Sequence, residues 1–159
     1  MTTRPDTIVA APVRRSVTVG VEPVRAFRAF VENIGRWWPR SHAIGGRPLV
    51  DAVLEPRAGG RWYEVSDDGS TCDWGKVLAY EPPGRLVLAW QIDADWKYDP
   101  DLITEVEVRF IADGAGTRVE LEHRNIDRFG ARAAAVAEMI GSDGGWPLIL
   151  GLYAENAAA

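Results

Sequence analysis

Between Gly59 and Trp90 the chain alternates apolar and polar positions in three short runs joined by two turn sequences. This pattern predicts three consecutive antiparallel strands, each with one covered face. Each run carries a tryptophan, Trp62, Trp74 and Trp90, and the alternation is clearest at Leu86, Leu88 and Trp90. The turns are Asp67-Asp68-Gly69-Ser70, with Gly69 free to take positive φ, and Pro82-Pro83-Gly84, where proline fixes φ and glycine closes the reversal. A second hairpin is cleaner still. Thr104, Val106, Val108 and Phe110 alternate with Glu105, Glu107, Arg109 and Ile111, and the Asp113–Gly116 turn leads to its mirror. There Thr117, Val119, Leu121 and His123 point inward, while Arg118, Glu120 and Glu122 point outward. Val13 to Val19 predicts a first strand whose inner row Arg15 interrupts, and Leu49 to Glu55 a short strand into the meander.

Helical spacing appears in three places. Pro23 suits a first helical turn, and Phe27, Phe30, Val31 and Ile34 follow as one apolar face ending near Gly35. The adjacent Trp37 and Trp38 cannot point the same way, so one is expected to cap the core while the other faces a cavity or a partner. Ala131 to Ile140 predicts a short helix stopped by Gly141. Ser142 or Asp143 then stands ready to cap a last helix striped by Trp146, Ile149, Leu150 and Tyr153, with Leu148 and Leu152 beside them. A helix so broadly apolar must be buried, and the meander is the broad surface available. The order is strand, helix, a run of strands and a long terminal helix. It specifies an α+β domain over residues 12–157, preceded by a flexible N-terminal tail over residues 1–11.

Composition narrows the function classes. The 159 residues are 47% apolar and 26% charged, as in a soluble globular domain, with interspersed charges and a net charge of −5. That balance argues against a general nucleic-acid-binding face. A single cysteine, Cys72, excludes an internal disulfide and a cysteine-based zinc site. No apolar run reaches the ~18–20 residues of a membrane span, and the N-terminus has no sustained apolar segment, so a cytoplasmic location is expected. The phosphate-cradling loop fails around Gly75-Lys76, and the Asp93-Ala94-Asp95 opening of a calcium loop fails at Lys97, Tyr98 and Thr104. His42 and His123 stand too far apart in sequence to argue for a metal, and no cofactor is implied.

Two ionisable residues sit in apolar rows. Glu64 shares the parity of Trp62, and His123 continues Val119 and Leu121. Such a pair is a candidate for acid–base chemistry or for anchoring a ligand's polar end, against the plainer alternative of two satisfied core groups. Seven tryptophans exceed what a core of this size commonly takes, so some are expected to line a concave site.

The Pro-initiated helix, Trp37-Trp38-Pro39, and the segments GGRWYE, WGKVLAYEPPGRLVLAWQI, TEVEVRF, TRVELEHR and GGWPLIL together resemble the START-like (SRPBCC) superfamily. The resemblance is to its bacterial branch related to the activator of Hsp90 ATPase and covers about residues 14–155. It implies a helix-grip fold, a curved antiparallel sheet wrapped around a long C-terminal helix with an apolar cavity between them. The positions it implies for the cavity are Trp62, Glu64, Trp74, Trp90, Val108, Phe110, Leu121, His123, Trp146, Leu150 and Tyr153. Three functions follow as expectations. The first is binding of a small apolar ligand, aromatic or lipid-like. The second is a cyclase, dehydratase or hydrolase working through Glu64 and His123. The third is a chaperone-contacting module using Trp96 and Tyr98, and a homodimer is compatible with each.

Overall fold

The computed structural model describes residues 11–158, so the expected tail lies, but for Ala11, outside the described residues. Strand β1 (Val13–Val19) is followed by helix α1 (Pro23–Glu32), the single turn α2 (Ile34–Trp37) and strand β2 (Leu49–Leu54). The meander is β3 (Arg61–Ser66), β4 (Thr71–Glu81) and β5 (Arg85–Trp90), and the second hairpin is β6 (Thr104–Asp113) with β7 (Gly116–Arg124). A 3₁₀ turn (Ile126–Arg132) runs into α3 (Ala133–Gly141), and α4 (Trp146–Ala158) closes the chain. The seven strands form one antiparallel sheet in the order β1-β7-β6-β5-β4-β3-β2. This is the helix-grip α+β architecture.

The sheet curls because its register slips. β4 meets β3 with an irregularity at Trp62/Tyr63 and β5 with another at Val77/Ala79. Such slips bend a strand and raise its twist. Gly75 lies between them, where a Cβ would fall 1.7 Å from the Ala89 carbonyl oxygen. No side chain fits that approach.

The inward rows behave as their alternation requires: Val106, Val108, Phe110, Val119 and Leu121 are all buried. Arg15, the interruption in β1, stays exposed and caps the end of α3 by donating to the Gly141 carbonyl at 2.7 Å. A cation there also complements the helix dipole. Ser142 departs from its expected capping role. Its hydroxyl turns back to donate to Met139 O at 2.6 Å, and the first turn of α4 instead closes with Ile149 N–H donating to Gly145 O.

Helix α4 buries Trp146, Ile149, Leu150, Tyr153 and Ala157 across the covered face of the sheet. Its nearest backbone neighbours are β1, α1 and α2, whereas it reaches the meander through the Trp146 indole. Large rings hold helix and meander apart at that end, which is where space remains.

Candidate functional site

The two ends of the covered face are filled differently. At one end α1 places Phe27 5.1 Å and Phe30 5.8 Å from the Phe110 ring, centroid to centroid, and Phe30 also packs on Tyr153 at 5.1 Å. The Tyr153 hydroxyl donates to Ala26 O at 2.8 Å, and burial pushes its phenol well above the ordinary value. Val108, Phe110, Leu121, Leu150 and Tyr153, expected around a cavity, are buried in this packing and do not line the gap at the other end. The phenylalanines of α1 occupy the space. At the other end, four indoles leave a gap: Trp38, Trp74, Trp90 and Trp146 wall an open cavity of about 370 Å³ beneath the α3–α4 corner. Trp96 and Met139 stand at its rim, 43% and 42% exposed. Of the adjacent pair, Trp37 packs against Phe30 and Tyr153, and Trp38 faces the cavity.

Trp62, behind this wall, is fully buried and edge-on to Trp38 and Trp74. Glu64 and His123 are equally enclosed, and neither lines the cavity. Three N–H groups converge on the Glu64 carboxylate. Trp74 Nε1 donates at 2.7 Å, Ile44 N at 2.8 Å and Gly45 N at 3.1 Å. A Cβ on residue 45 would stand 3.0 Å from Glu64 Oε2, so glycine lets the 41–46 connection come this close.

His123 sits in a chain whose direction is determined by its ends. Trp146 Nε1 has only a hydrogen to give, so His123 Nδ1, 3.2 Å away, is the acceptor. Nε2 therefore carries the ring hydrogen and donates to Thr104 Oγ1 at 2.8 Å, which donates in turn to Trp90 O at 3.1 Å. Burial pushes the imidazole down to about 3, and the neutral ring is fully satisfied. Four strand spacings of ~4.8 Å separate β3 from β7 along the sheet, and the rings of Trp74 and Trp90 project between them. Glu64 and His123 share no hydrogen-bond partner among the described residues. They are two separate core devices. Each fixes an indole that walls the cavity.

The family model for activator of Hsp90 ATPase homolog 1-like proteins matches residues 21–151. The chain belongs to this family, within the START-like superfamily. Solved relatives of the AHSA1-like domain agree in fold along almost their whole length. It is 35% identical to Txn09, an anthrahydroquino-γ-pyrone synthase, covering 93% of this chain and 97% of that one at a TM-score of 0.65. It is 36% identical to the self-sacrificing resistance protein CalC from Micromonospora echinospora, covering 92% and 93% at a TM-score of 0.66. The Aha1 dimer from Colwellia psychrerythraea, 14% identical, shares the fold over 94% and 97% at a TM-score of 0.62. No curated protein matches the sequence.

Among the described residues of the AHSA1-like domain, no group of three or more His, Cys, Asp or Glu is placed to hold a metal ion. No helix of those residues is long and apolar enough to cross a membrane. The cavity's polar lining comes from residues that the sequence did not mark as cavity candidates. Ser41 and His42 project from the connection after α2, opposite Ser142, Gly144 and Gly145 at the α3–α4 corner. The available signal was a histidine placed just after Trp37-Trp38-Pro39, in a segment without periodicity of its own.

Proposed function

We propose that this AHSA1-like domain binds a small, largely apolar aromatic molecule in the cavity between the meander and the α3–α4 corner. The observation that carries the reading is the wall of four indoles around a space of about 370 Å³, within the ~300–1,000 Å³ of ligand pockets. Flat π-faces favour a flat partner, because offset and edge-on ring contacts add to simple area burial. A relative at 35% identity that is an anthrahydroquino-γ-pyrone synthase supports the same ligand class, and a fused-ring compound is the favoured occupant.

An enzymatic reading through Glu64 and His123 draws no support from geometry. Each is closed off from the cavity and committed to indole N–H groups, so neither reaches a reacting atom of an occupant. Chaperone contact through Trp96 and Tyr98 is the weaker alternative, since Trp96 already serves the cavity rim.

Calorimetric titration with 2-methoxynaphthalene tests the proposal. Saturable one-to-one binding is expected, with the indole N–H resonances of Trp38, Trp74, Trp90 and Trp146 shifting and that of Trp37 unmoved. Trp90→Leu should weaken binding severalfold. Absence of saturable binding, or shifts confined to other tryptophans, would overturn it.

A further inference from the structure

At the mouth of the cavity Ser41, His42 and Gly144 form a directed chain of polar groups. The His42 backbone is pinned on both sides: its N–H donates to Pro39 O at 3.0 Å, and its carbonyl accepts Trp38 Nε1–H at 3.1 Å. Its ring Nε2 lies 2.7 Å from the Gly144 carbonyl oxygen. A carbonyl can only accept, so Nε2 carries the hydrogen. In the neutral ring Nδ1 is then bare, and Ser41 Oγ, 2.9 Å away, must be its donor. The chain runs one way, from Ser41 O–H to His42 Nδ1 and from His42 Nε2–H to Gly144 O. With its hydrogen committed, Ser41 Oγ has only lone pairs left for the cavity. All three residues line that cavity, with Ser41 at its exposed lip.

We infer that Ser41 and His42 form a hydroxyl-recognition site, so that the occupant is an aromatic compound bearing a phenolic or enolic O–H. This rests on the aromatic-ligand reading above and specifies its chemistry. The occupant's hydroxyl donates to Ser41 Oγ at the mouth while its rings lie among the indoles. Chains of aligned hydrogen bonds polarise one another, which makes Ser41 Oγ a better acceptor than an isolated serine. An ether or carbonyl at the same place has no hydrogen to give and meets lone pairs.

The test compares 2-naphthol with 2-methoxynaphthalene by calorimetry. Naphthol is expected to bind roughly tenfold more tightly than the ether in the wild-type protein, the scale of one hydrogen bond with a strong acceptor. Ser41→Ala and His42→Gln should each bring the naphthol-to-ether ratio close to one. The amide introduced by His42→Gln keeps a donor for Gly144 O, so the mouth stays closed as before. A purely structural role would weaken both compounds alike and leave the ratio unchanged. Equal binding of both compounds in the wild type overturns the hydroxyl site and leaves the aromatic cavity standing. A preference that survives both substitutions overturns it too. Failure of both compounds to bind removes the cavity reading and this one with it. If one variant loses its near-ultraviolet circular dichroism, the wild-type ratio and the other variant decide.

Discussion

Four buried indole N–H groups meet four different acceptors: Trp37 the Ala29 carbonyl, Trp38 the His42 carbonyl, Trp74 the Glu64 carboxylate and Trp146 the His123 ring. Trp62 Nε1 is buried without a partner among the described residues. Glu64 and His123 were legible as inward-facing residues from strand parity alone. Their work was not legible, because the partners are neighbours in space and each polar group is consumed by an indole. The His123 arrangement has a consequence in acid. Its imidazole is held at about 3 in the folded protein by burial, below the ordinary 6.5. The unfolded chain therefore binds the extra proton first, and stability is complete above pH 6.5 and falls as pH drops from there toward 3. The slope for one proton is about 1.4 kcal/mol per pH unit. His123→Gln should flatten the urea midpoint between pH 6.5 and 4.5, at a cost of about 1–3 kcal/mol near neutrality for the disturbed Trp146 and Thr104 bonds. A midpoint equally steep in both proteins over that window would contradict the assignment.

At the scale of elements, the last helix and the 41–46 connection govern the cavity. Leu150 of α4 is buried beside Trp146 and Tyr153, so Leu150→Ala should lower stability by about 2–5 kcal/mol in urea denaturation. An unchanged midpoint would place α4 at the surface. The stripe that predicted burial was plain in the sequence, but the surface it met was not the expected one. β1, α1 and α2 take the backbone contact, because four indoles occupy the distance to the meander. Glu64 holds the 41–46 connection through Ile44 N–H and Gly45 N–H. In Glu64→Gln one oxygen becomes an NH₂ facing other donors, so hydrogen exchange at Ile44 and Gly45 should accelerate while the amides of β6 and β7 stay protected. Unchanged exchange at both would mean that the carboxylate does not hold the loop.

Across the whole molecule the two faces of the sheet follow opposite rules. The covered face is apolar and aromatic. The outer face carries Glu107, buried under Arg85 at 2.5 Å, Arg124 at 2.6 Å and Arg109 at 3.1 Å, with Arg124 also reaching Glu105 and Glu122. Burial raises the Glu107 carboxyl, but hydrogen bonds from the three arginines outweigh it and bring it down to about 2. Its stabilisation is present above pH 4.5 and is lost as pH falls from there toward 2, a second acid step below that of His123. Glu107→Gln should remove that lower step and keep the upper one, as followed by circular dichroism on acid titration. Short-range periodicity was enough to specify the seven strands, the turns at Gly69 and Gly84, the stripe of α4 and the inward rows of β3, β5, β6 and β7. Alternation and helical spacing are properties of neighbouring residues, so they can be read along the chain. Where the covered face is solid and where it is hollow depends instead on how distant elements meet. Phe27 and Phe30 close one end, Trp38, Trp74, Trp90 and Trp146 hold the other open, and His42 meets Gly144 across a separation of 102 residues. A cavity is the volume left when elements distant in sequence meet imperfectly, and no local pattern records that remainder.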